Sequence, residues 1–427
     1  MLRKLAACVL LITPSVWAED WPQFRGPEAN GVSPSAGPMA WGEEENLAWA
    51  IEVPGTGWSA PIVTGGKVLL TTAVPQGEGG GEDTYRFEVH CYDLASGEAL
   101  WKRVAMESKP RIPTHRDNTY ASETPVTDGE RVYAYFGMTG LFCFDLEGEV
   151  LWQRDLGVFP MAHGWGAASS LALTDGLLFV QLDNEEESHL VAIDAMTGEQ
   201  RWRVERPDEV SNWCSPIVWK NSVRTELVVG GRIVRSYEPA TGHELWSMDI
   251  GGRSSASPCA SGDLLYIGSE NRVRRGGTPG GLFAVKAGAE GAIDVADDLA
   301  NQPGLLWVDL RGAIGMASPL VYEGRLYVLE RRGGILRAHD AMTGEQLYRE
   351  RTPGASAFWS SPWAYGGRVF CLDDAGVTYA LTTGDEFELV RENSLTGRFW
   401  STPAIADGSL VIRSEDRLFC VRSADGG

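Results

Sequence analysis

Beyond its first twenty residues the sequence has no apolar run approaching the ~18 residues a membrane-spanning helix needs. It also lacks any segment with the sustained 3.6-residue spacing of a long helix, so both a bilayer span and an α-helical fold are disfavoured. It contains no Cys-x-x-Cys-His and no two adjacent cysteines, which excludes a c-type haem attachment site and a vicinal disulfide. Basic residues are scarce: 37 Lys and Arg stand against 58 Asp and Glu, a formal charge of -21. That imbalance repels nucleic acid and anionic lipid at long range, so a nucleic-acid role is disfavoured.

The start of the chain is the one apolar exception. "MLRKLAACVLLITPSVWAED" has a basic beginning at Arg3 and Lys4, an apolar run from Leu5 to Ile12 and a Val16-x-Ala18 pattern. This reads as a secretory signal over residues 1–18, cut after Ala18, and it predicts a periplasmic or secreted protein. The lipoprotein alternative would use Cys8, but most of the apolar run follows that cysteine instead of preceding it. Loss of Arg3 and Lys4 leaves 35 basic residues and a charge of -23. Of the six remaining cysteines, Cys91, Cys143 and Cys420 occupy matching positions in separate repeats, which predicts small buried apolar residues and no disulfide framework.

What the sequence does contain is repetition. "IDAMTGEQRW" (193–202) returns as "HDAMTGEQLY" (339–348), identical at seven of ten positions. Related turns are "YDLASGEALW" (92–101), "FDLEGEVLW" (144–152) and "YEPATGHELW" (237–246). In each the carboxylate can accept turn N–H groups, Gly supplies positive φ, and an aromatic ring begins the next strand. Upstream stand eight hairpins, among them "WCSPIVWKNSVRTELVV" (213–229) and "MASPLVYEGRLYVL" (316–329), recurring every 41 to 64 residues. Each is an apolar strand, a tight turn and an alternating strand. That period suits a four-stranded unit, and eight such units set radially make a β-propeller.

The expected fold is therefore all-β, an eight-bladed β-propeller of four-stranded antiparallel blades over residues 45–423, after a lead segment at 19–44. The last unit supplies three strands; "NLAWAIEVPG" (46–55) completes it, closing the ring and removing its open edges. Trp49, Trp101, Trp152, Trp202, Trp246, Trp307 and Tyr348 are predicted to wedge between neighbouring blades.

The Ala-x-Asp-x-x-Thr-Gly-x-x-x-Trp repeats resemble those of pyrroloquinoline-quinone-type (PQQ-like) propellers over roughly residues 45 to 422. The lead "WPQFRGPEANGVS" (21–33) is similar to the opening of secreted PQQ-like repeat proteins. This family spans quinoprotein alcohol dehydrogenases and BamB-like, non-catalytic scaffold propellers. The resemblance implies the propeller far more strongly than any activity. It allows PQQ and calcium as cofactors of a dehydrogenase, yet the cysteine pair typical of those enzymes is absent and no calcium constellation is located by motif.

Candidate site residues follow from the insertions, which concentrate on one face: 73–88, 105–123, 183–188 and 270–281. One further insertion, 286–304, falls on the opposite face. Trp58, Trp213, Trp359 and Trp400 each stand three residues before the proline of their unit, with Trp165 and Tyr120 nearby. They form an expected aromatic collar suited to a flat ring, a sugar or a quinone, or else they pack the loops between blades. Arg232, Arg253, Arg272, Arg274, Arg275, Arg311, Arg331 and Arg332 fall on blades 4 to 6, opposite the acidic Glu78, Glu82, Asp83, Asp183, Glu185, Glu186 and Glu187 of blades 1 and 3. Such guanidinium groups suit a small anionic ligand or an acidic partner, or stand separately solvated. In "THRDNTYASE", His115 is a candidate general base beside Arg116, and Asn118 with Glu123 are candidate ligands of a hard cation; Asp117 and Asn118 bracing a loop is the alternative. His163 joins them in the third unit. The functional expectation is a monomeric, non-catalytic binding or scaffold propeller taking an envelope protein, a glycan or a small anionic ligand on the insertion-rich face, with no cofactor. The competing expectations are a PQQ- and calcium-dependent alcohol or sugar dehydrogenase and a polysaccharide-binding module.

Overall fold

The computed structural model describes residues 19–78, 83–252, 254–270, 280–295 and 302–423. The proposed signal sequence, Glu82, Arg253, Arg272, Arg274 and Arg275 lie outside the described residues.

Eight antiparallel sheets stand in sequence order around one axis, as expected. Blade 1 runs from Ile62–Thr64 at the axis through Lys67–Pro75 and Tyr85–Asp93 to Ala99–Ser108 at the rim. Blades 2 to 7 repeat that order, beginning at Val126, Ala172, Ile217, Cys259, Leu320 and Trp363. Blade 8 is built from both ends of the chain, for Leu47–Glu52 pairs antiparallel with Arg417–Arg422 outside Ser409–Arg413 and Ala404–Ala406. Burying alternate Val, Leu, Ile and aromatic residues between adjacent sheets leaves few edges open to solvent.

The repeated turn explains how the blades are spaced. Indole Nε1–H groups donate across to the next blade: Trp49 to Leu94 O (2.9 Å), Trp101 to Leu146 O (2.9 Å), Trp152 to Ala195 O (3.1 Å), Trp202 to Pro239 O (3.0 Å) and Trp307 to Ala341 O (2.9 Å). Each acceptor follows the turn's acidic residue directly, and the turn's glycine lies flat against the same indole. A Cβ at Gly97, Gly148, Gly198, Gly242 or Gly344 would meet the ring at 2.7 to 2.8 Å. Positive φ is thus one of two reasons for that glycine. In blades 1 to 6 a register shift where the rim strand meets its neighbour places the aromatic residue at a bulge.

Two positions depart from the expected wedge. Trp246 turns into its own blade and donates to Glu226 Oε2 at 2.8 Å; the next blade, blade 5, has Lys286-Ala287-Gly288 where blades 1 to 4 and 6 have an acidic turn. The insertion after that turn sends Gly291–Ile293 back to pair in parallel with Glu244–Asp249, giving blade 4 a fifth strand. Tyr348 packs edge-on against Phe387 of blade 7, ring centroids 5.9 Å apart, with its buried hydroxyl lacking a partner among the described residues.

The lead segment is threaded through the propeller. Trp21 bridges Val63 of blade 1, Thr127 of blade 2 donates its N–H to Pro22 O, and Val32 bridges Ala364 of blade 7. Between these points Arg25, fully buried, donates to Asn30 O (2.9 Å) and Pro319 O (2.5 Å). Every one of these contacts lies on an innermost strand or beside one, so the lead crosses the channel and closes it.

Candidate ligand-binding cavity

Above the lead, on the face carrying the long loops, lies a cavity of about 950 Å³. Phe24 of the lead lines it together with residues from all eight blades. Its lower wall is a circle of hydroxyls at the residue that precedes the unit's proline, or Leu171 in blade 3, whose unit lacks the proline. The N–H of Ala60 donates to Thr124 Oγ1 (2.9 Å), Thr124 to Ser170 Oγ (2.9 Å), Ser170 to Ser215 Oγ (2.9 Å) and Ser215 to Ser257 Oγ (2.9 Å). Ser257 then donates to Ser318 Oγ (3.0 Å), Ser318 to Ser361 Oγ (3.0 Å) and Ser361 to Thr402 Oγ1 (3.0 Å). Ala60 has no hydroxyl, so the chain stops between blades 8 and 1. All seven hydroxyl residues line the cavity, each more than nine-tenths buried, and none of their O–H groups donates to a protein acceptor among the described residues. Seven O–H donors thus converge on one space. The Ser/Thr-Pro dipeptides carried this signal in the sequence, where they marked only hairpins.

The upper wall is aromatic and cationic on one side. Trp359 stacks on Trp400 with centroids 3.6 Å apart and planes 12° from parallel, and Trp58 continues the slab at 5.2 Å from Trp400. The Arg331 guanidinium lies 4.9 Å over Trp359, and that of Arg398 lies 4.8 Å over Trp400 and 5.6 Å over Trp58. Across the cavity His115 stacks on Trp165 at 3.9 Å, and Trp165 meets Trp213 edge-on at 6.5 Å. The structure therefore brings together Trp58, Trp165, Trp213, Trp359, Trp400, His115, Asn118, His163 and Arg332 from the sequence set. It adds Asp374 and Phe24 to the lining, which carry no repeat signature, while Arg398 lies behind, against Trp58 and Trp400.

Other candidates go elsewhere. Arg116 lines a separate groove with Arg111 and Glu415. Arg232 pairs with Asp249 on the rim strand of blade 4 at 2.6 Å. Asp183 is buried; its two oxygens accept from Arg206 Nε at 2.9 Å and Nη2 at 3.1 Å. Asn118 and Glu123 do not form a cation site. Asn118 donates to Trp165 O (2.7 Å) and Ala167 O (3.1 Å) and accepts from Ser122 Oγ (2.6 Å), which spends its amide on bracing the loop. Glu123 is 2% exposed, accepts the Gly137 N–H at 2.9 Å, and is pushed up to about 7 by burial. His115 Nδ1 lies 3.1 Å from the Asp117 N–H and 3.6 Å from Asp117 Oδ2, so its Nδ1 edge is engaged with its own loop.

Calcium and PQQ can be tested against this donor set. Among the described residues no three His, Cys, Asp or Glu side chains gather closely enough to hold a metal. The cavity's own carboxylates are dispersed and engaged: Asp117 pairs with Arg398 at 3.4 Å, Glu270 accepts from Ser255 Oγ at 3.2 Å, and Asp374 accepts from Ser356 Oγ and the Ala357 N–H. The six described cysteines are free and buried. The described residues do not fit a calcium-bound quinone.

Comparison with known proteins places the chain. The family model described as "Outer membrane protein assembly factor BamB" matches residues 85–232 and 229–364. No curated protein sequence matches. Among solved structures, BamB from Moraxella catarrhalis superposes with a TM-score of 0.63 at 13% identity, covering 89% of this chain and 98% of that one. Quinohemoprotein alcohol dehydrogenase from Comamonas testosteroni gives 0.64 at 11%, covering 96% and 82%. A computationally designed protein, Ika8, gives 0.57 at 13%, covering 92% and 99%. At such identities these likenesses speak for the fold alone. With eight blades and the family match over more than half its length, the chain belongs to the PQQ-like β-propeller family described as outer membrane protein assembly factor BamB.

Proposed function

We propose that this protein is an exported, non-catalytic binding propeller that holds a small ligand in the central cavity of its loop-bearing face. The observation that carries the reading is the cavity itself: about 950 Å³, near the upper end of the ~300–1,000 Å³ usual for ligand sites, closed below by the lead and walled by indoles and guanidinium groups. A blind, concave, aromatic site suits a small molecule better than a flat protein surface. Among the described residues no acid cluster converges on the cavity, and His115 is engaged with its own loop, which supports binding without turnover. The test is indole fluorescence of the full chain during titration with panels of saccharides, carboxylates and cyclic metabolites. Saturable quenching that disappears in Trp400→Ala supports the reading, and quenching that persists in that variant puts the ligand elsewhere.

The family's description as an assembly factor favours a second reading, an envelope protein bound on the rim of the same face. A partner captured equally by the native chain and by Trp400→Ala would favour it.

A further inference from the structure

Resting on that cavity reading, we infer that the ligand is a neutral polyhydroxylated ring, a pyranose sugar or a cyclitol, held by the hydroxyl circle on the cavity's lower wall.

Each of the seven oxygens accepts a backbone N–H from the preceding blade at 2.9 to 3.0 Å, and that bond fixes the side chain. A hydroxyl has one O–H and two lone pairs, so each keeps a donor and an acceptor for the cavity it lines. All seven residues are at most 5% exposed, which puts these groups at the floor of the space and away from bulk water. Whatever enters displaces water from them and has to replace the bonds that water makes. A cyclic polyol does so on every side. The hydroxyls at its rim each donate and accept as the serine and threonine groups do, and they radiate from a ring as the circle converges on an axis. A peptide carries amides at fixed intervals and an aromatic ligand has no such rim, so either would leave most of the circle without partners.

Charge points to a neutral ligand. Asp117, Glu270 and Asp374 line the cavity against Arg331 and Arg332. Asp117 is paired from behind with Arg398 at 3.4 Å, Glu270 accepts from Ser255 Oγ at 3.2 Å, and Asp374 accepts from Ser356 Oγ and the Ala357 N–H. With Arg398 included, the carboxylates and guanidinium groups are equal in number. A charged ligand lowered onto the hydroxyls would give up its hydration for a wall with no counter-charge to spare. The indoles are a side wall and no platform, because Trp400 lies between Trp359 at 3.6 Å and Trp58 at 5.2 Å and the rings cover one another's faces.

The experiment is isothermal titration of the full chain with glucose, galactose, mannose and myo-inositol, and with glucuronate and glucosamine, which keep the pyranose ring and add a negative or a positive charge. The expected result is saturable binding of at least one neutral probe, at least tenfold tighter than either charged analogue. Ser257→Ala combined with Ser318→Ala removes two neighbouring O–H groups and should weaken that probe about tenfold, roughly the worth of two neutral hydrogen bonds. The ratio of neutral to charged probes on the native chain needs no variant, so it tests the proposal even if the double variant fails to fold. A charged analogue that binds as tightly as the neutral sugars, or binding by none of the neutral probes, would overturn the polyol proposal; quenching of the cavity indoles by another ligand, lost in Trp400→Ala, would leave the cavity reading standing. Sugar binding unchanged in the serine variant but lost in Trp400→Ala would likewise overturn the polyol proposal alone. Sugar binding unchanged in both variants would put the ligand outside the cavity and overturn both readings.

Discussion

Replacing Gly198 by Ala isolates the device that spaces the blades. Gly198 has φ +70 and its missing Cβ would lie 2.7 Å from the Trp152 ring, whereas Gly176, in the hairpin turn of the same blade, has φ +73 and open space around it. Both substitutions force alanine into the left-handed region, at a cost of about 1 kcal/mol. Only Gly198→Ala also drives a methyl group into an indole, adding roughly 1–3 kcal/mol of overpacking. Unfolding entropy near 2.1 cal/mol/K per residue, over roughly 400 residues, makes 1 kcal/mol worth about 1.2 °C. Gly176→Ala should therefore lower Tm by about 1 °C, and Gly198→Ala by about 2–5 °C, followed by circular dichroism near 215 nm. Adding Trp152→Ala removes the obstacle, so in that background Gly198→Ala should cost no more than Gly176→Ala does. Equal Tm losses for the two glycine variants, or an unchanged Gly198→Ala cost without the indole, would refute the wedge.

The remaining predictions concern the buried polar groups. Burial raises the folded-state pKa of Glu123 from 4.5 to about 7, so the folded state holds a proton that the unfolded chain releases near 4.5. The protonated acid therefore favours folding fully below about pH 4.5, and the advantage, on the order of 3 kcal/mol, disappears as pH rises to about 7. Glu123→Gln should flatten that loss; urea midpoints at pH 5 and pH 8 that shift equally in native chain and variant would contradict it. Asp183→Ala leaves the Arg206 guanidinium buried without its bidentate partner and should cost about 3–5 kcal/mol in urea unfolding, whereas a loss under 1 kcal/mol would mean that Glu209 compensates. Ala60→Ser supplies the missing hydroxyl between blades 8 and 1 and should stabilise by about 0.5–1.5 kcal/mol, a gain absent if Thr402 cannot donate to it.

The ring was legible because its cause repeats. Eight hairpins recurring every 41 to 64 residues counted the blades, and five acidic turns, each with a glycine and an aromatic residue, marked where an indole lands on a turn. Trp246 shows the limit, since it turns to a buried Glu226 that no local pattern marks. The candidate site was legible in its aromatic half for the same reason, each collar tryptophan standing at a fixed offset from a repeated proline. Its cationic half was not. Arg331 and Arg232 look alike in the sequence, but one reaches the axis while the other meets Asp249 at the rim, a difference set by which strand end each occupies. The lead crossing the channel was hidden for a further reason: it occurs once, and its partners at Val63, Pro319 and Ala364 are distant in sequence.

The most direct measurement of the central claim, a binding cavity without redox turnover, is titration of the purified chain with PQQ and Ca²⁺ followed by a dye-linked assay with alcohols and sugars. The account predicts no dye reduction above background at any loading, while saturable quenching of the cavity indoles by a ligand persists. Dye reduction that saturates with both PQQ and Ca²⁺ would contradict it and make the protein a dehydrogenase.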